Sequence, residues 1–274
     1  MPTPVYRALS LDLWFTTISY TPRQEAAWEE ARESCLHGLL VREDGSPFPR
    51  ERLRTEWADL RSTLRARGTS WDSVDPRTSL ASLGQRMGAR LALPLEEATR
   101  EYSGAGLTRA PPSVNPQALR LARRLQEQGI PVISITNTSR RAESWDRFFQ
   151  AAGGPSFRFL VTSSEVGCPK PSPVIFREAA HRLDMAPQEI LHVGDRWDLD
   201  VMGARSSGMG RALYRGLWST YSDPSELEML RALDDGRPDV IRVDDLAELL
   251  ERVTWSPPAP AGTRDPGSRS PHSH

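Results

Sequence analysis

Lysine is almost missing from this chain: of its 35 basic residues, only Lys170 is a lysine. Cysteine is nearly as scarce. Cys35 and Cys168 stand alone, too few for a disulfide framework or a cysteine-based zinc site. No segment approaches the roughly 18 consecutive apolar residues that a membrane span needs. Met1 to Leu11 runs straight into a strand pattern, without a basic region followed by a long apolar stretch. Neither charge is in excess: 35 basic against 36 acidic residues give a net charge of −1. No overall field therefore draws the chain to nucleic acid or to a membrane. Much of the arginine falls at helix-face spacing and reads as solvated surface. These absences lead to the expectation of a soluble cytoplasmic protein, monomer or homodimer, with a small-molecule substrate. At 274 residues it is long enough for one large domain or for a core with a smaller companion.

Two strongly apolar strand patterns end in aspartate: Val5 to Asp12, and Ile190 to Asp195. After the first, residues 21–107 show helical periodicity and few strand signals. Pro22 suits a first helical position, with Ala27, Ala31, Cys35 and Leu39 at helical spacing. Leu53, Trp57, Leu60 and Leu64 repeat the stripe, as do Leu80, Leu83 and Met87. Such stripes read as packing faces, and the stretch as a helical bundle inserted into another domain. From Asn115 the pattern alternates. Helices are expected over 117–128, 141–151, 173–183, 199–207 and 245–252, and strands over 130–135, 157–161, 190–193, 211–214 and 240–243. Alternation of this kind implies a parallel sheet with right-handed crossovers. The expectation is an α/β core, doubly wound, over 1–17 and 112–254, with a helical insertion over 18–111. Residues 255–274, crowded with Pro, Gly and Ser, read as a disordered tail, and His272 and His274 as tail residues rather than metal ligands.

In an open parallel sheet, ligands gather beyond the carboxyl ends of the strands, where the winding reverses. Four polar groups fall at such ends. Asp12 is placed to attack an electrophile and form a covalent ester or aspartyl-phosphate; alone, it fits a turn cap equally well. Thr136 and Asn137 offer a hydroxyl and N–H groups to phosphoryl oxygens, or a helix N-cap for the Arg140 segment. Lys170 lies between Pro169 and Pro171, ahead of Pro173. A flexible surface lysine does not need that stiffening, so an inward ammonium is expected, offsetting nearby carboxylates. Asp195, Asp198 and Asp200 follow the second strand closely. Asp195 with Asp12 would suit a hard divalent cation such as Mg2+. Asp200 would hold Lys170 or support the cation ligands from behind, and Asp198 would cap or face solvent. Arg23, Arg32 and Arg54 become anion contacts only where their helix faces turn inward; a solvated face is the expectation for each.

Together these pieces resemble the haloacid dehalogenase-like hydrolase superfamily. The resemblance covers Arg7 to Thr17 and about 119–209, and weakens toward about 250. Its most specific stretches are Val166 to Phe176 and His192 to Ala204, with Gly194-Asp195 and Gly203 inside the second. It implies that Asp12 is the nucleophile, Thr136 the phosphate-binding hydroxyl, Lys170 the charge-balancing lysine and Asp195 the magnesium-binding acid. The helical insertion then resembles the family's cap, which closes over substrate and expels water. A backbone carbonyl, here that of Trp14, would be a further magnesium ligand.

One departure stands out. Phosphatases of this family usually carry a second aspartate two residues after the nucleophile, acting as general acid. This chain has Trp14 there, and Phe15 where a glycine usually follows. Indole donates no transferable proton, and a missing acid costs about 100- to 10,000-fold. Three readings follow. One is a Mg2+-dependent hydrolase whose leaving group needs little protonation, such as an acyl phosphate or phosphonate, or whose acid comes from elsewhere. Another is a 2-haloacid dehalogenase, a branch where an aromatic residue at this position is usual and magnesium is not needed. The last is a binding or regulatory protein with little turnover. Trp14 would fill the space of the absent acid or meet the substrate.

Overall fold

The computed structural model describes residues 4–67, 69, 73–221 and 223–258. Its centre is a sheet of six parallel strands: β1 (Ala8–Leu11), β2 (Val132–Thr136), β3 (Leu160–Thr162), β4 (Ile190–Gly194), β5 (Gly210–Tyr214) and β6 (Ile241–Val243). Their order across the sheet is β3-β2-β1-β4-β5-β6, a doubly wound arrangement that reverses direction between β1 and β4. Successive side chains alternate between the two faces. Leu9, Leu11, Val132, Leu191 and Val193 pack on one side with Leu121 and Leu125. Ala8, Ile133, Ile135 and Ile190 pack on the other with Ile175, Phe176 and Ala179. Both faces are thus covered, as a parallel sheet requires.

The insertion has a core of its own. Helices α1 (Pro22–Leu39), α2 (Arg50–Ala66), α3 (Pro76–Met87) and α4 (Leu95–Gly104) bury Leu36, Leu53, Trp57, Leu80, Leu83 and Tyr102 together. Their starts follow local chemistry. Thr21 and Gln24 form a capping box ahead of Pro22, and Asp75 caps α3 ahead of Pro76. The helical stripes are therefore packing faces, as expected. Two short antiparallel pairs were not foreseen: Leu40–Val41 with Arg90–Leu91, and Ile18–Ser19 with Ser113–Val114. The second pair ties together the two passages of the chain between sheet and insertion. Two-residue strands carry no periodicity to detect.

Beyond the sheet lie α5 (Pro116–Glu127), α6 (Ala142–Ala152), α7 (Pro173–Leu183), α8 (Met202–Ser207) and α9 (Pro224–Leu233). The expected helix over 199–207 is a π-helical turn, Trp197–Val201, running into α8. Helix α9 was not anticipated. The expected start of the tail at 255 needs correction: Thr254–Trp255 pairs with Val5–Tyr6, and Trp255 packs on Tyr6 at 6.2 Å between ring centroids. An aromatic ring covering apolar surface outweighs the Pro-rich context that follows. The rest of that tail, with His272 and His274, lies from residue 259 onward outside the described residues. No helix among the described residues is long and apolar enough to cross a membrane.

Candidate active site

Because β1 and β4 are neighbours at the reversal, the chain leaving each of them enters the same crevice. The Asp12 N–H donates to the Val193 carbonyl at 2.9 Å, which extends the β1–β4 ladder to the aspartate itself. The Thr17 hydroxyl closes the turn after it by donating to the Asp12 carbonyl at 2.6 Å. Lys170 arrives on the loop before α7. Its Nζ donates to Asp12 Oδ1 at 2.6 Å, to Asp200 Oδ1 at 2.6 Å and to the Ile135 carbonyl at 3.1 Å. All three ammonium hydrogens are thereby used. Its side chain is 3% exposed, so the inward ammonium expected from the flanking prolines is what the fold contains.

Asp200 is held on every side. Besides Lys170, its Oδ1 meets His192 Nε2 at 3.1 Å, and its Oδ2 accepts from the Arg196 N–H at 3.0 Å. His192 in turn meets Ser10 Oγ through Nδ1 at 2.9 Å. A buried polar chain thus runs from β1 through β4 to Asp200, Lys170 and back to Asp12. Gly194 makes room for it: a Cβ there would lie 2.1 Å from Asp200 Cγ. Gly194→Ala should therefore displace Asp200 and unseat Lys170. The expected result is a loss of about 3–5 kcal/mol in urea unfolding, the range for breaking a buried ion pair. A variant as stable as the parent would show that Asp200 is not confined there.

The electrostatics follow from one cation shared among several acids. Burial pushes Asp12 up to about 6, against the pull of the Lys170 ammonium and with a further push from Asp200. Asp195 is buried and raised well above its usual value, by burial and then by Asp200 and Asp12. Asp200 goes the other way: burial opposes ionisation, but Lys170 and His192 outweigh it and hold the carboxyl below its usual range. Burial would strip the proton from Lys170, yet Asp12 and Asp200 together push it up to about 12. His192, lowered mainly by burial, stays neutral. One ammonium, 2.6 Å from Asp12 and Asp200 alike, does not offset the burial of three acids, and Asp12 and Asp195 hold their protons more tightly than usual. Carboxylate oxygens of Asp12, Asp195 and Asp200 lie within 4.8 Å of one another. Three carboxylates against one ammonium is the donor set and charge that suit a hard divalent cation.

Other expected residues land in different ways. Thr136 is buried and its hydroxyl has no protein partner, while the wall of the adjoining cavity is built from the four residues that follow, Asn137 to Arg140. The Asn137 side chain is engaged with the Lys170 backbone at both ends, accepting from its N–H at 2.7 Å and donating to its carbonyl at 3.1 Å. Asn137 lines the cavity, and its amide also positions the Lys170 backbone. Neither residue caps α6, whose N-cap is Arg141. Trp14 lines the cavity. Its indole N–H donates to the Asn137 carbonyl at 3.1 Å, and its ring packs edge-on against Tyr20, Trp28 and Trp145. Asp198 faces solvent, as one of its two expectations had it, and pairs there with Arg196 at 2.9 Å.

Several residues at the site were missed. The Tyr221 hydroxyl donates to Asp195 Oδ2, and its ring stacks on Phe15 at 4.1 Å. Phe15 itself has φ 54°, the left-handed region that costs a side chain about 1–2 kcal/mol. The positive φ explains why glycine is usual at this position, and the stack partly offsets the strain. His192 sat unnoticed inside an apolar strand pattern. Arg32, expected on a solvated face, turns into the cavity with Arg140. Arg54 behaves as expected, exposed and paired with Glu33, and Arg23 is exposed.

Comparison with known proteins gives one consistent picture. A family profile described as haloacid dehalogenase-like hydrolase matches residues 6–208. The chain is 33% identical over 138 residues to a glyceraldehyde 3-phosphate phosphatase of Methanopyrus kandleri, covering 50% of this chain and 55% of that protein. It is 37% identical over 91 residues to haloacid dehalogenase-like hydrolase domain-containing protein 3 of Mus musculus, 33% of this chain and 36% of that one. The match thus spans about half the length of the first relative and about a third of the second. Among solved structures, a 2-haloacid dehalogenase of Pseudomonas syringae superposes with a TM-score of 0.57 at 19% identity, over 90% of this chain and 97% of that one. A phosphatase of Thermococcus onnurineus gives 0.54 at 21%, over 89% and 96%. Those two share the fold.

Proposed function

This chain belongs to the haloacid dehalogenase-like hydrolases, and from that premise we propose that it is a magnesium-dependent phosphatase acting on a small phosphorylated metabolite, with Asp12 as nucleophile. The observation that carries the reading is the buried cluster of Asp12, Lys170, Asp195 and Asp200, in which one ammonium faces three carboxylates. Dehalogenation needs no such surplus of negative charge. The phosphatase name of the archaeal relative supports the same choice.

Asp12 and Asp195, with the Trp14 carbonyl, would hold Mg2+; bound there, the ion supplies charge that draws phosphoryl oxygens toward the carboxylate. Asp12 attacks phosphorus, the bond to the leaving oxygen breaks, and water then hydrolyses the aspartyl-phosphate. Lys170 keeps Asp12 oriented through the 2.6 Å bond and offsets charge on the incoming phosphoryl group. Thr136 has an unpartnered buried hydroxyl to offer that group. Trp14 excludes water but protonates nothing. The reading therefore favours leaving groups of low basicity, acyl phosphates above alkyl phosphates.

The test is a panel of alkyl phosphates, acyl phosphates and 2-halo acids assayed across a magnesium titration. Phosphate release that depends on the metal is expected. Halide release indifferent to magnesium would overturn the reading in favour of a dehalogenase, and no release from any of them in favour of a binding protein. Magnesium affinity should also depend on pH. Asp12, with its pKa pushed up to about 6, and Asp195, raised well above its usual value, bind protons in competition with the cation. The dissociation constant should therefore rise as pH falls from 7 to 5, by about tenfold over that range from Asp12 alone. A constant affinity over that range would remove Asp12 and Asp195 as ligands.

A further inference from the structure

The chain leaving β5 returns over the site and grips Asp195 twice. The Trp218 indole N–H donates to the Asp195 carbonyl at 3.1 Å, and the Tyr221 hydroxyl donates to Asp195 Oδ2. Trp218 is itself anchored, buried with Trp197, Val201 and Leu230. On its other side the Tyr221 ring stacks on Phe15, 4.1 Å between centroids and 23° from parallel. Phe15 directly follows Trp14, in the turn after Asp12. One phenol thus touches both turns that would supply ligands to a cation.

The bond to Tyr221 makes the two oxygens of Asp195 unlike. Oδ2 is taken. Asp195 is 1% exposed, yet no hydrogen bond to Oδ1 occurs among the described residues. The basic groups around it are committed elsewhere. Lys170 donates to Asp12, Asp200 and the Ile135 carbonyl, and the Arg196 guanidinium pairs with Asp198 and Glu226. The carboxylate therefore has one oxygen held and one to offer. That difference bears on which ion it suits. Mg2+ is small, demands a near-octahedral shell and keeps several waters beside one or two carboxylates. Ca2+ is larger, takes six to eight oxygens and accepts both from one carboxylate. Selection between them turns on ligand number and on how freely the ligands move.

We propose that Tyr221 is a positioning residue that fixes Asp195 as a one-oxygen ligand and so sets the preference of the site for Mg2+ over Ca2+. This rests on the magnesium reading above and deepens it. Partners that hold a metal ligand from behind orient it. Without the hydroxyl, the Asp195 carboxylate can turn and present both oxygens, an arrangement that the larger ion accepts and the smaller one does not. The stack gives Phe15 a use despite its φ of 54°: its ring holds the phenol at the angle from which the hydroxyl meets Oδ2.

The experiment is calorimetric titration of the metal-free full chain with Mg2+ and, separately, with Ca2+. Tyr221→Phe keeps the ring and removes only the hydroxyl. Its Mg2+ dissociation constant is expected to rise about 10- to 100-fold, the range for losing the partner of a metal ligand. Its Ca2+ constant should stay within about threefold of wild type, because a freed carboxylate still serves the larger ion. The ratio of the two constants is the decisive readout, since a general loosening of the pocket would weaken both ions alike. Urea unfolding without metal checks that the variant is folded. Phe15→Leu removes the stack and leaves the hydroxyl; it should move the ratio the same way by a smaller factor, and it carries the test if Tyr221→Phe does not fold. Equal weakening of both ions would overturn the proposal, leaving Tyr221 as packing alone. Mg2+ binding as tight as in wild type, or tighter, would overturn it too, since the hydroxyl would then be a competitor of the cation. Either result leaves the magnesium reading standing. If wild-type protein binds neither ion, both fall together.

Discussion

Asp12→Asn is expected to abolish phosphate release, by at least about 10,000-fold as for other removed nucleophiles, while leaving a folded protein. The two halves of that expectation have one origin. Asp12 sits in a cluster with more negative than positive charge, and its pKa is pushed up to about 6 from an ordinary value of 3.8. A carboxylate whose folded pKa is raised adds stability below its unfolded pKa, and that contribution is lost as pH rises through the folded value. At pH 7 the charged group is thus a burden on the fold. Asparagine keeps the shape and can still accept from Lys170, but removes the charge. The variant should melt at the same temperature as wild type or a few degrees higher at pH 7. The difference should fade as pH falls toward about 4, where wild-type Asp12 is protonated. Single-turnover phosphate release and thermal scans at both pH values check it. Turnover retained within tenfold would take Asp12 out of the nucleophile role; a collapsed fold would mean that the carboxylate is structural.

Much of the architecture was legible because it repeats with a period. Five-residue buried strands such as Val132–Thr136 and Ile190–Gly194, helices opened by proline and closed by glycine, and the change from helical to alternating pattern near Asn115 all leave marks longer than a turn. What escaped were features without one. Two-residue ribbons, the π-helical turn after Asp195 and helix α9 give too short or too irregular a signal. At the site, Asp12, Lys170, Asp195 and Asp200 announced themselves by position at strand ends and between prolines. Tyr221 did not, because its contact with Asp195 depends on a connection after β5 that no local pattern predicts. The inward turn of Arg32 was missed for a related reason. Helical spacing tells which residues share a face but not which of two faces meets a partner, and for an arginine both outcomes look alike in sequence. The bond from Asn137 to the Lys170 backbone was not legible, since nothing in its neighbours shows that its amide meets a peptide group 33 residues away.

Lys170→Met should have the largest effect on stability of any single change at the site. Methionine fills nearly the same volume, so the loss is electrostatic: Asp12, Asp195 and Asp200 remain buried without their cation. Removing one partner of a buried pair costs about 3–5 kcal/mol, and this ammonium serves two acids. Because Asp12 and Asp195 already hold protons more tightly than usual, the deficit should be smaller at pH 5 than at pH 8, as protonation does part of the lysine's work. Magnesium should recover part of it at pH 8 for the same reason. Urea unfolding at the two pH values, with and without the metal, reads all of this. The scarcity of lysine supplies an independent check. Lys170 bears the only ε-amine in the chain; it is buried, charged and bonded to three acceptors. An amine-acylating reagent followed by mass spectrometry should find that amine protected in the native protein and reactive once urea has unfolded it. A stable Lys170→Met variant, or rapid native acylation at that position, would mean that the lysine does not hold the cluster together, and the charge balance on which the phosphatase mechanism depends would have to be sought elsewhere.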